Sequence, residues 1–183
     1  MDINKYILIE SHDGAGKSSL ADFISKTFNL NIYKESLSYR DRLKADYDGY
    51  IHYKNLIKTL PKNVVIDRLH IGEAVNPIIR KDGRKPLTID QIHDIEDPIK
   101  NQTLMITCLV DEDTVANTFR TRGEDVAKIE DIQYLAYLYR HFHNLSSIKN
   151  KIIFNYLEDM NYIKIKKQIE DFLKEPLQTM ILV

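Results

Sequence analysis

The sequence predicts a three-layer α/β domain, a five-stranded parallel sheet flanked by helices. Three observations predict it. Short apolar runs without polar alternation recur along the chain, and such runs fit strands buried on both faces. Helical patterns separate them, which gives the β-α rhythm of a parallel sheet. The first run opens into a glycine-rich loop and then an amphipathic helix, a strand–loop–helix unit that binds phosphate. The 183 residues carry no repeat, low-complexity tract or internal linker, so residues 1–183 read as one domain with a substantial core.

Residues 6–9, Tyr-Ile-Leu-Ile, form the first strand, and residues 11–18 the loop. Residues 19–28 continue as a helix with Leu20, Phe23, Ile24 and Phe28 at helical spacing. Residues 30–33 are the second strand and 37–42 a polar stretch. Residues 44–60 read as one helix, with Tyr47, Tyr50 and Tyr53 near one face. That stripe either packs on the core or lends a ring to stack on a nucleobase. A turn at Pro61 leads to the third strand, 64–66, which ends in Asp67-Arg68.

His70 and Glu73 start the next helix, where they either face an acceptor or solvate the helix. Residues 81–86 read as a solvated polar loop. Thr88 caps a helix over 88–100, which Pro98 ends or kinks. Residues 103–110 are the fourth strand and 111–119 a helix. Arg120, Arg122 and Gly123 then suggest a flap, a small LID at about 120–128, although a solvated helix end with local ion pairs would read the same way. Residues 129–145 form a long helix with Tyr134, Leu135, Leu138, Phe142 and Leu145 buried. A fifth strand, 151–156, and a helix, 162–173, close the domain. The tail 176–183 is apolar enough to pack on the domain, cover a sheet edge or join a homodimer interface.

The chemistry starts at the loop. Gly14 and Gly16 let backbone N–H groups approach phosphate oxygens without a Cβ clash. The following helix adds the partial positive charge of its N-terminus. Lys17 would place a cation on the β- and γ-phosphates, and the Ser18 hydroxyl would ligate Mg²⁺. The phosphate-binding set is Asp13, Gly14, Ala15, Gly16, Lys17, Ser18 and Ser19; Ser11 stands where the strict pattern has glycine. Asp67, at the carboxyl end of a buried strand, would sit near the metal. Arg68 beside it would clamp an anionic acceptor, or the two would form a buried structural pair.

Composition narrows the class. Hydrophobic residues are 43% and charged residues 29%, ordinary for a globular domain. A net charge of −1 gives no support for broad nucleic-acid or membrane binding. The single cysteine, Cys108, lies in an apolar run and reads as a core residue. It excludes a disulfide within the chain. No basic segment precedes an apolar run at the N-terminus and no run reaches the ~20 residues of a membrane helix, so a cytoplasmic location is expected.

The whole pattern resembles the thymidylate kinase family of P-loop nucleoside monophosphate kinases. The family opens on Ile-Glu-Gly-x-Asp-Gly-Ala-Gly-Lys-Ser/Thr-Thr, and here stand Ile9-Glu10-Ser11-His12-Asp13-Gly14-Ala15-Gly16-Lys17-Ser18-Ser19. Its Arg-Glu-Pro appears as Lys34-Glu35-Ser36, its Asp-Arg-Tyr as Asp67-Arg68-Leu69, and its Arg-x-Arg-Gly as Arg120-Thr121-Arg122-Gly123. Its later Ala-Tyr-Gln segment is absent from residues 71–76. The resemblance implies a three-layer P-loop kinase fold, ATP and Mg²⁺, and transfer to a deoxynucleoside monophosphate such as dTMP. It implies that Asp13 touches the acceptor sugar, and that Lys34 and Arg68 hold its phosphate. It implies that Tyr47 or Tyr50 stacks on the base and that Arg120 and Arg122 carry catalytic charge. The position of His70 at the start of its helix, apart from the resemblance, adds it to the candidate substrate-binding set. The alternative is a kinase acting on a hydroxyl of a nucleoside, a polynucleotide end or a modified base, with Glu35, Asp13 or Asp67 as base.

Overall fold

A computed structural model describes residues 4–122, 131–155, 157 and 159–175; the side chains of 112, 118–120, 122 and 159–161 lie outside the description. The element order is β1 (Tyr6–Glu10), α1 (Lys17–Phe28), β2 (Asn31–Lys34), α2 (Tyr39–Arg42), α3 (Gly49–Ile57), β3 (Val64–Asp67) and α4 (Ile71–Arg80). Then follow α5 (Ile89–Glu96), β4 (Thr103–Cys108), α6 (Glu112–Arg122), α7 (Ile132–Leu145), β5 (Asn150–Phe154) and α8 (Asp159–Lys174).

The five strands form one parallel sheet in the order β2-β3-β1-β4-β5. β1, β3 and β4 are buried along their whole length, as apolar runs without alternation require. β1 lies at the centre, and its partner register sets Ile9 beside Asp67, with Lys34 on the far side of Asp67. The chain leaves β1 toward one edge and crosses from β3 to the other. The carboxyl ends of these strands therefore border a crevice where the strand order reverses.

The sequence reading needs correction at several helices. Residues 44–60 are not one helix. Asp48 caps α3 by accepting from Ile51 N, so that helix starts only at Gly49, and Ser38 caps α2 by accepting from Asp41 N, so a separate short helix forms in the stretch read as polar. Tyr47 thus lies in the loop between them, off the face that carries Tyr50 and Tyr53. Thr88 does cap α5, in a full capping box with Gln91, but the helix ends at Glu96, ahead of Pro98. On α7 the buried stripe is Ile132, Leu135, Leu138, Tyr139, Phe142 and His143; Tyr134 and Leu145 face solvent. α6 runs on to Arg122, beyond the predicted end at 119.

Pro77 sits inside α4 and cannot donate to the carbonyl of Glu73. Leu87 N donates to that carbonyl instead, at 3.3 Å. The loop 81–87 is thereby pinned back onto α4. Behind it, the fully buried Glu96 carboxylate accepts from His70 Nε2, Ser146 Oγ and Ser147 N, fastening the start of α4 to α5 and to the α7–β5 connection. Residues 176–183, the apolar tail read above as a packing or dimer segment, lie outside the described residues. Among the described residues no helix is long and apolar enough to cross a membrane.

Candidate active site

β1 delivers the loop, and the loop's conformation follows from its glycines. Gly14 and Gly16 adopt φ of 79° and 81°, left-handed values that a side chain would strain, and Gly16 is the N-cap of α1. Ser11 is buried, and its hydroxyl donates to the Cys108 carbonyl, tying the loop to the end of β4. That bond gives the serine at the pattern's first glycine a structural role. The Cys108 thiol is pushed up to about 12 by burial, which leaves it an inert core group.

Lys17 is buried, and its ammonium donates to the His12 carbonyl within the same loop. Burial, with Arg68 as a second cause, lowers its pKa to about 8. His12 Nδ1 donates to the Asp13 carbonyl at 2.7 Å, and burial holds the ring at about 4 and therefore neutral. Its Nε2 is buried without a partner.

β3 brings Asp67 to the mouth of the loop. The Ser18 hydroxyl donates to Asp67 Oδ2 at 3.4 Å, and Lys34 Nζ, from the end of β2, lies 3.5 Å from the same oxygen. Asp67 Oδ1 is buried with no hydrogen-bond partner. A hydroxyl and a carboxylate this close, with one oxygen unclaimed, fit a hard divalent cation such as Mg²⁺. Among the described residues no three His, Cys, Asp or Glu side chains could hold a metal by themselves. An ion here would need further oxygens from phosphate and water.

Arg68 has φ of 73°, uncommon for a residue with a side chain, and such strain tends to gather at functional sites. Neighbouring groups hold it there. Its N–H donates to the Ile9 carbonyl at 3.0 Å, and the buried Glu10 accepts from Leu69 N and Ile71 N at 2.9 Å and 3.3 Å. The guanidinium pairs with Asp13. Burial works to raise the Asp13 carboxyl, but Arg68 and Lys17 hold it below its ordinary value.

Beyond Arg68 the crevice, about 200 Å³, is walled by α4, by residues after β2 and by Tyr139 of α7. Glu73 is buried in this wall. Its carboxylate takes Arg42 on one oxygen and Arg84 on the other, the latter at 2.9 Å. Arg42 Nη1 also donates to Tyr53 Oη at 2.8 Å, and Arg84 pairs with Asp82 at 2.9 Å. Arg84 comes from the stretch read as a solvated loop, yet its side chain is 10% exposed. Glu35 lines the same space. Burial works to raise it, but the His52 hydrogen bond, at 2.9 Å, and the Leu37 N–H hold it below the usual carboxylate range.

The structure thus brings Lys17, Ser18, Asp67, Lys34, Arg68 and Asp13 together. It separates three other candidates from the crevice. His70 is 0% exposed and bonded to Glu96, so it faces no acceptor. Tyr47 and Tyr50 line a neighbouring cavity of about 760 Å³, where Tyr50 Oη donates to Asp94 at 2.5 Å. The aromatic rings that border the crevice itself are Tyr39, Tyr53 and Tyr139. Arg120 and Arg122 belong to the last turn of α6, with side chains outside the described residues, and the LID from 123 onward lies there too. Sequence reasoning missed Arg42, Arg80, Arg84 and Tyr139. Pro77 was the legible hint that the loop after α4 folds back.

Comparisons with known proteins agree with this architecture. No protein-family model matches the chain. It is similar to YorR, a prophage-derived protein of Bacillus subtilis (strain 168), 29% identical over 134 residues that span 73% of this chain and 79% of that one. The crystal structure of Bacillus subtilis YorR in complex with phosphorylated GDP superposes with a TM-score of 0.77, 24% identity, and coverage of 94% of this chain and 99% of that one. Deoxyadenosine kinase from M. mycoides with dCMP and dCDP bound gives 0.59, at 17% identity, over 91% and 98% of the two chains. The fold is that of the α/β P-loop kinases.

Proposed function

We propose that the protein transfers the γ-phosphoryl group of ATP, with Mg²⁺, to a deoxynucleoside monophosphate, giving ADP and the diphosphate. The resemblance to thymidylate kinases favours dTMP or a related pyrimidine acceptor. One observation carries the reading: the Ser18 hydroxyl meets the Asp67 carboxylate at 3.4 Å between the phosphate loop and Arg68. That contact supports a donor site and an acceptor site side by side at the crevice. The nucleotides named with the YorR and deoxyadenosine kinase structures support a nucleotide substrate.

The residues would act by alignment and charge. The loop amides opened by Gly14 and Gly16 cradle the β-phosphate, and Ala15 and Ser19 extend that cradle into α1. Lys17 exchanges the His12 carbonyl for phosphate oxygens, a contact between full charges in place of one to a neutral carbonyl. Ser18 and Asp67 would hold Mg²⁺, which would supply charge neutralisation to the phosphates. Arg68 exchanges Asp13 for the acceptor phosphate, with Lys34 on its other side, which frees Asp13 for the acceptor sugar. Arg120 and Arg122 would close from α6 over the transferred group. A monophosphate acceptor is already ionised at neutral pH and needs no strong base. That suits a crevice whose carboxylates Asp13 and Glu35 are held below their ordinary pKa values.

The test is a ³¹P NMR product assay with ATP, Mg²⁺ and a panel of dTMP, dCMP, dGMP, dAMP, the matching nucleosides and 5′-hydroxyl DNA. The proposal expects a nucleoside diphosphate. A new monoester on a nucleoside or on DNA would transfer the reading to the hydroxyl-acceptor alternative. Absence of ATP turnover with every acceptor would remove phosphoryl transfer.

A further inference from the structure

α4 turns Gly72, Asn76 and Arg80, one turn apart, toward the crevice. Asn76 and Arg80 also border a small recess beside His12, Asp13 and Arg68. Arg80 differs from every other arginine that lines the crevice. Arg68 is paired with Asp13, Arg42 with Glu73, and Arg84 with Glu73 and Asp82. Among the described residues Arg80 has no carboxylate partner, and its Nε is buried with no hydrogen bond.

What holds Arg80 is a ring. Its guanidinium lies over the face of Tyr39, 3.9 Å from the centroid, and Tyr39 Oη is fixed by donating to Asp82 at 3.1 Å. A cation–π contact positions a guanidinium without neutralising it. A plain structural cap on Tyr39 would need no further partner. However, a half-buried guanidinium is costly when a buried N–H stays unfilled, as Nε does here. The recess that Arg80 shares with Arg68 contains one carboxylate, Asp13, already engaged.

We propose that Arg80 is a specificity residue that binds the phosphate of the acceptor nucleotide together with Arg68, so that the acceptor must carry a phosphate monoester. This inference rests on the functional reading above. Asn76, on the same face, supplies a neutral amide beside that anion. Tyr39 is the positioning residue, acting through Arg80.

Arg80→Gln and Arg80→Lys separate this role from a structural one. With dTMP, or whichever monophosphate the product assay selects, Arg80→Gln is expected to lower kcat/KM roughly 30-fold, mainly through KM, as loss of a charge-assisted fork predicts. KM for ATP should stay within about twofold, and Arg80→Lys should restore part of the loss. Calorimetric titration with dTMP and with thymidine gives a readout independent of turnover: Arg80→Gln should weaken the monophosphate alone. Equal losses for dTMP and thymidine, or no loss for dTMP, would overturn the inference. If Arg80→Gln fails to fold, Arg80→Lys carries the same comparison, with the same selective weakening expected and the same outcomes against it. The two readings fail apart. Phosphoryl transfer with an indifferent Arg80→Gln keeps the reaction and removes the subsite. Selective loss of monophosphate binding without any transfer keeps the subsite and removes the reaction.

Discussion

The two walls of the crevice are built in opposite ways. The wall proposed for the donor is one contiguous strand, loop and helix, from β1 into α1, and backbone carbonyls hold its lysine and first serine: Lys17 rests on the His12 carbonyl and Ser11 on the Cys108 carbonyl. The wall proposed for the acceptor draws on segments scattered from β2 to α7, and side chains hold its charges: Glu73 with Arg42 and Arg84, Glu35 with His52, Arg80 on Tyr39. Backbone cradles survive the loss of one side chain, whereas mutual ion pairs do not. Activity and stability should therefore come apart on the donor wall and fall together on the acceptor wall.

Lys17→Ala is the strongest test of that separation. Turnover should fall about 1000-fold, as removal of charge aimed at the transition state does, with little change in Tm. A matching collapse in Tm would erase the distinction between the walls. Glu73→Gln comes next. It leaves the Arg42 guanidinium without its carboxylate and Arg84 with Asp82 alone, so stability should fall by about 3 kcal/mol in urea unfolding, with a raised acceptor KM. An equal rise in KM for ATP would show that the walls are coupled.

Glu96 supports the acceptor wall from behind. Burial would raise its carboxyl, but His70, Ser146 and Ser147 overcome this and lower it to about 2. Its folded value lies below the unfolded 4.5, so its contribution is present above about pH 4.5 and is lost as pH falls toward 2. Glu96→Gln should cost about 2 kcal/mol at neutral pH and flatten the acid limb of the Tm profile. An unchanged limb would mean that this carboxylate does not brace the wall. The smallest signal belongs to Lys17. Its pKa of about 8 should rise when a polyphosphate binds, so nucleotide binding above pH 8 should take up a fraction of a proton and below pH 7 almost none. Calorimetry in buffers of different ionisation enthalpy would detect it, and the uptake should vanish in Lys17→Ala.

The same contrast explains what the sequence made legible. Lys17, Ser18 and the glycines lie within a few residues of each other, and Asp67 ends a buried strand, so local pattern suffices for the donor side. Arg84 meets Glu73 only because Pro77 frees a carbonyl for Leu87, and nothing in a polar Asp-Gly-Arg-Lys run announces a buried arginine. Tyr139 went unread because the stripe on α7 was traced through Tyr134 and Leu145, which face solvent. His70 looked like an acceptor ligand because its partner, Glu96, is remote in sequence. The caps at Ser38 and Asp48 were in view, and weighing them against the tyrosine spacing would have started one helix after Ser38 and the next after Asp48.

The most direct measurement is the affinity of a bisubstrate compound, adenosine and thymidine joined through five phosphates. If the phosphate loop and Arg68 serve one crevice, it should bind at least about 100-fold more tightly than ATP and compete with both ATP and dTMP. Affinity no better than that of ATP, with dTMP still able to bind beside it, would contradict the account.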